Sequence, residues 1–241
     1  MLDLGETEFR LAVPGVAAAS LEDLSNSLFD EWEQYVGQAL SLSDYSLFLQ
    51  VEEGSINGWG RIKAGAGVFV AGIATYGGFV SGLDIIGQQL GASRDFLAEH
   101  ARSTFSCPIS KATTRKSGGS PAHLQRLFAR VQRGELTADE ATLRAQNYLA
   151  EDAHEAPGLL DALAEAFKDC PKLPVQISLP LEQLGCEILI PESAPRNSPS
   201  QPKPKKPELP PALKYRVEVW RDSKRNRKKS KVSFIKIQKY D

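Results

Sequence analysis

Hydrophobic positions change period several times along this chain. Residues 8–13, EFRLAV, alternate, with Phe9, Leu11 and Val13 on one side, the period of a half-buried strand. From residue 21 the period lengthens, and Leu21, Leu24, Leu28, Trp32, Tyr35 and Val36 recur at helical spacing. Ser20 to Asp23 has the form of a capping box with a shorter acid at its fourth position, so a helix is predicted from there to about Gly37. Alternation returns in YSLFLQVEEGSINGWGRIK, where Leu47, Leu49 and Val51 interleave with Phe48, Gln50 and Glu52. Glu53-Gly54 or Asn57-Gly58 would turn the chain into a hairpin.

The next stretch, GAGVFVAGIATYGGFVSGL, holds six glycines in residues 65–83 and no charge. On a helix Phe69, Ile73, Tyr76, Val80 and Leu83 form one bulky seam. Gly67, Ala71, Ala74, Gly78 and Ser81 form a small seam on the opposite side. This sorting predicts one helix continuing through LDIIGQQL toward Phe96 and Leu97. Its glycines cost about 5 kcal/mol relative to alanine, at roughly 0.9 each. Close backbone approach along the small seam, as in small-xxx-small helix pairs, is the expected compensation.

Residues 106–120, SCPISKATTRKSGGS, read as a flexible loop. Three helices follow by pattern. The first opens at Ser120-Pro121 with Leu124, Leu127, Phe128 and Val131 on its face, and stops at Gly134. The second has a full capping box, Thr137 to Glu140, and runs to about Ala150. The third, GLLDALAEAFKD, ends at Cys170-Pro171. PVQISL and CEILI read as short strands, and residues 191–211 as a proline-rich linker of semi-rigid character. KYRVEVWRD and KVSFIKIQKY flank the basic loop SKRNRKKS and predict a β-hairpin, which alone is marginal in water and must dock on the body or a partner. The whole is read as α+β in four segments. Residues 1–105 are the strand–helix–hairpin unit with its Gly-rich apolar helix, and 106–190 a helical subdomain with two short strands. Residues 191–212 are the linker, and 213–241 the basic hairpin.

Charge sharpens the last segment. The net charge of −1 conceals a split: residues 1–195 carry 14 Lys+Arg against 26 Asp+Glu, and residues 196–241 carry 15 against 4. Lys224, Arg225, Arg227, Lys228 and Lys229 crowd the predicted turn, Lys231, Lys236 and Lys239 extend it, and Tyr215, Trp220 and Phe234 interleave aromatics that can stack on bases. The pattern points to an acidic partner, with nucleic acid read at low sequence specificity as the leading candidate. The other chemistry is sparse. His100, His123 and His154 lack metal-ligand spacing, and Cys107, Cys170 and Cys186 lack CxxC spacing, so neither a metal site nor a disulfide framework is expected. Gly58-Trp-Gly60 and Gly65-Ala-Gly67 do not continue into a dinucleotide fingerprint, no GxxxxGK[ST] is present, and Ser81 lacks a nucleophile elbow. No cofactor and no catalytic residue are assigned.

Ala64 to Leu83 is twenty uncharged residues, the length of a membrane span, but ten of them are Gly or Ala. MLDLGETEFR has no secretory character, and the initiator methionine is read as opening a complete, unprocessed chain. The order strand, helix, VEEGS hairpin and Gly-rich helix across residues 7–90 resembles membrane-proximal modules of bacterial conflict-system proteins. It includes no diagnostic motif, and no residue role is carried over from it. The expectation is a cytoplasmic, non-enzymatic interaction protein of bacterial character. It would bind nucleic acid through Lys224, Arg225, Arg227, Lys228, Lys229, Lys231, Lys236 and Trp220. It would self-associate as a homo-oligomer through the Gly-rich helix (Gly67, Ala71, Ala74 and Gly78, with Phe69, Ile73, Tyr76 and Val80 on the bulky side). A membrane-associated effector that inserts residues 64–83 is the first alternative, and an enzyme with an unrecognised site the second.

Overall fold

A computed structural model describes residues 1–13, 16–53, 55–76, 78–153, 157–172, 214–222 and 234–238. The predicted strands at 174–179 and 186–190, the linker and the basic loop lie outside the described residues. The fold is α+β. A six-stranded antiparallel sheet is built from β1 (Leu2–Leu11), β2 (Ser46–Glu52), β3 (Ile56–Ala64), β4 (Ala112–Ser117), β5 (Lys214–Arg221) and β6 (Phe234–Gln238), in the order β4-β1-β3-β2-β5-β6. The C-terminal hairpin therefore docks on the body, with β5 lying along β2 from Leu47↔Arg221 to Glu52↔Arg216. The pairing supplies the hydrogen bonds and the buried Val217 and Val219 that an isolated hairpin lacks.

Helix α1 (Ala18–Ala39) buries Leu21, Leu28, Phe29, Trp32 and Val36. It starts ahead of the expected Ser20 box, with Ala17 as its cap and no side-chain cap bond, because residues 17–19 are alanines that extend a helix at little cost. It also runs past Gly37, whose missing side chain leaves room for the Tyr45 hydroxyl. β2 ends at Glu52 and β3 begins at Ile56, which agrees with the earlier of the two expected turns.

Residues 106–120 are not simply a loop. They include β4, which pairs with β1 from Glu6↔Ser117 to Leu11↔Ala112. As an edge strand it exposes Thr113 to Ser117, and so has no apolar alternation to betray it.

The Gly-rich helix is broken. It forms α2 (Ala66–Ala74) and α3 (Phe79–Thr104), bent by 110° at the break. The bulky seam behaves as expected, with Phe69, Ile73 and Leu83 buried and Tyr76 and Val80 partly so. The small seam does not: Gly67, Ala71, Ala74, Gly78 and Ser81 all face solvent. Close approach occurs at two other glycines. Gly82 lies against the Ile73 carbonyl, and Gly72 receives the Leu42 side chain. Folding α2 back on α3 places these two in the elbow, where a single straight helix would have placed neither.

The remaining helices follow the pattern closely. They are α4 (Gly119–Gln132), α5 (Ala138–Ala153) and α6 (Pro157–Lys168). Gly134, at φ 72°, closes α4 with its N–H on the Val131 carbonyl, a left-handed position suited to glycine. At the start of α5 the Thr137 N–H donates to Glu140 Oε2 (3.0 Å) and the Glu140 N–H to Thr137 Oγ1 (3.2 Å), which completes the predicted capping box. Phe128 joins α4 to α6 through Phe167, with ring centroids 4.2 Å apart.

Candidate nucleic-acid interface

The helices cover one face of the sheet, and strand alternation decides what the other face presents. On β2, Leu47, Leu49 and Val51 are buried toward the helices, whereas Ser46, Phe48, Gln50 and Glu52 are half-exposed on the opposite side. On β3, Gly58 and Gly60 take the covered side. A Cβ at Gly58 would lie within the Phe9 ring, and one at Gly60 would meet Leu97 and Trp32. The Gly-Trp-Gly sequence is thus a packing solution: two glycines admit the core, and Trp59 between them emerges on the open face.

Register assembles that face in rows. Trp220, Phe48, Arg61 and Glu6 stand side by side across β5, β2, β3 and β1. The adjacent row is Glu218, Gln50, Trp59, Glu8 and Arg115. Phe48 and Trp59 meet edge to face with centroids 5.3 Å apart, and the Arg61 guanidinium lies 4.7 Å from the Trp59 ring centroid. Arg61 is held by carboxylates, pairing with Glu6 and, at 3.3 Å, with Asp3. Burial pushes the Asp3 carboxyl up from its ordinary range, and Arg61 pulls in the opposite direction. Arg216 is likewise paired with Glu52. Lys63 forms no ion pair among the described residues.

Two hollows open on this face. One, of 310 Å³, is lined by Phe48, Trp59, Trp220, Arg61, Lys63, Arg221 and Asp222. The other, of 590 Å³, has Trp59 in common with it but is lined by Glu8 and Glu52 as well as Arg10 and Arg115. Both hollows mix charges: Asp222 lines the first, where Arg61 is already paired with Asp3 and Glu6. The connection to β6 leaves from Asp222, at the first hollow.

Of the residues singled out in the sequence, Trp220 lies in the aromatic row, and Lys236 is in register with Arg216 on β6. Lys224, Arg225, Arg227, Lys228, Lys229 and Lys231 lie outside the described residues. Phe48, Trp59, Arg61 and Lys63 were not anticipated. Their signal was the alternation of β2 and β3, which becomes informative only once the neighbouring strands are known.

The histidines that can be described are engaged in packing. His100 stacks on Phe96 (centroids 3.6 Å apart) and His123 on Tyr148 (3.9 Å). Among the described residues no cluster of His, Cys, Asp and Glu could hold a metal ion. No single described helix is long and apolar enough to cross a membrane; α2 and α3 meet that test only as a bent pair.

These features define an α+β protein with helices on one side of an antiparallel sheet and an aromatic row on the other. Comparison with protein-family models, curated proteins and solved structures gave no match, so the functional argument rests on this chain's own residues.

Proposed function

We propose that this is a non-enzymatic nucleic-acid-binding protein of low sequence specificity, which captures its ligand with the basic connection between β5 and β6. The observation that carries this reading is the docking of β5 on β2. It ties to the body the strand whose end, Arg221, is followed in the sequence by Lys224, Arg225, Arg227, Lys228 and Lys229. A dense cationic segment anchored to a rigid edge suits phosphate contact, and nothing in it resembles a base-reading helix. The same reading includes self-association through the solvent-facing Gly67, Ala71 and Ala74 of α2 and Gly78 at the start of α3, which sedimentation velocity would detect as a concentration-dependent oligomer.

The test is oligonucleotide binding by the full chain across a salt series. About five phosphate contacts give a log–log salt slope near −4 to −5 on duplex DNA, and a shallower one on single strands. Replacing Arg225, Arg227, Lys228 and Lys229 with Ser should flatten the slope and abolish binding at moderate salt. Absence of binding by the intact chain at low salt would overturn the reading.

A further inference from the structure

The outer edge of the sheet at β4 has no partner strand among the described residues, and its backbone is laid out as a template for one. The Ala12 N–H donates to the Lys111 carbonyl at 3.0 Å, and this bond sets the phase of the β1–β4 ladder. Thr113 and Arg115 therefore turn their N–H and C=O groups toward Arg10 and Glu8, whereas Thr114 and Lys116 turn theirs outward. The Ala112 carbonyl points outward too, while its N–H donates to the Ile109 carbonyl. These outward main-chain groups lie on an exposed strand and have no hydrogen bond among the described residues. We infer that β4 accepts an extended acidic peptide of another protein as an added strand, with carboxylates at alternate positions. This inference stands apart from the nucleic-acid reading and survives its failure.

Charge names the occupant. Lys111, Arg115 and Lys116 lie on or next to the edge, and Arg10 stands behind the short Thr113 on β1. Against them are Glu8, beside Arg115, and Asp95, which is paired with Lys116. Lys111, Arg10 and Arg115 form no ion pair among the described residues. A carboxylate opposite Thr113 or Arg115 is attracted by these cations, and a lysine there is repelled. A second copy fits poorly for the same reason. Antiparallel self-pairing centred on Thr114 sets the two Arg115 side chains on a diagonal, and centring it on Arg115 sets them face to face. Centring it on Thr113 puts Lys111 opposite Arg115. Cations along an edge deter self-pairing, and an acidic strand turns that deterrent into recognition. Its carboxylates lie beside Thr113 and Arg115, and the residues between them pair through their main chain with Thr114 and Lys116.

The experiment measures binding of a fluorescein-labelled eight-residue peptide of alternating glutamate and valine to the full chain at physiological salt. A lysine–valine peptide is the charge control, and two further peptides carry N-methyl groups on either the valines or the glutamates. Only the valine amides face β4, so methylating them should abolish binding, and methylating the glutamates should leave it intact. The lysine peptide should bind more weakly by about tenfold or more. Thr114→Pro removes an outward N–H without touching the bonds to β1, and should abolish binding while thermal melts show the fold retained. Arg115→Gln should weaken binding about 2- to 5-fold. The basic residues that follow Arg221 in the sequence also attract glutamate, but a contact made by charge alone is indifferent to which amide is methylated. Equal binding of the two methylated peptides would therefore overturn strand addition. Absence of binding by the folded intact chain would overturn it as well. So would a dimer that Thr114→Pro dissolves, since a second copy would then hold the edge.

Discussion

Gly82 faces the carbonyl of Ile73 so closely that a Cβ there would lie 2.2 Å from the oxygen. The obstacle is backbone, which cannot swing aside as a side-chain tip would. Gly82→Ala must therefore part α2 from α3, with an overpacking cost of about 2–3 kcal/mol that outweighs a helix-propensity gain of roughly 0.9. Gly67, the second residue of α2 and exposed, has no neighbour within 4 Å, so Gly67→Ala should stabilise by about 0.5 kcal/mol. Urea melts of the two variants should shift in opposite directions. Shifts of the same sign would refute the elbow.

Trp32 is the second test of packing. Its ring is buried under Gly60, and its indole N–H donates to the Ser93 carbonyl on α3 at 3.1 Å. Trp32→Phe removes both the donor and part of the ring, and should cost about 2–3 kcal/mol. A change in urea midpoint corresponding to less than about 0.5 kcal/mol would mean that the covered face of β3 is loosely packed.

The sequence foretold the local chemistry well and the long-range geometry less so. Thr137 and Glu140 are three residues apart, and their mutual capping needs nothing from the rest of the chain. The bulky seam of Phe69, Ile73 and Leu83 was equally legible, since burial of large side chains follows from the pattern alone. The elbow between α2 and α3 was not. A helical period continues unchanged through Thr75 to Gly78, and only the packing of Gly82 on Ile73 distinguishes two crossed helices from one. β4 escaped for a related reason: its partner is β1, about a hundred residues earlier, and its side chains are too exposed to alternate. The aromatic row has the same origin. Phe48 and Trp220 are distant in sequence and become neighbours only because the C-terminal hairpin adds to β2.

That addition should depend on Arg221. Its guanidinium donates to the Tyr45 hydroxyl at 3.2 Å, lies 4.8 Å from the Tyr45 ring centroid, and pairs with Glu33 of α1 at 3.3 Å. The ion pair is partly screened, so Arg221→Ala should weaken docking of β5 by about 1–2 kcal/mol, with the ring contact included. Native-state hydrogen exchange should quicken at the Val217 and Val219 amides relative to those of β1. Unaltered protection would leave the buried valines as the sole anchors.

Acid should act partly through His123. Its imidazole stacks on Tyr148, and burial, reinforced by the nearby Arg126 charge, holds its pKa below the ordinary 6.5. Because the folded value is the lower one, the unfolded chain binds more protons between the two values, and stability rises with pH across that window. The full contribution is present above 6.5 and is lost progressively as the pH falls through the folded value. His123→Gln cannot titrate there, so its stability should fall less between pH 7.5 and pH 5 than that of the intact chain; carboxylates elsewhere affect both equally. An NMR titration of the ring protons gives the independent check. A midpoint above 6.5 would reverse the sign and mean that the Tyr148 stack favours the imidazolium as a cation–π partner.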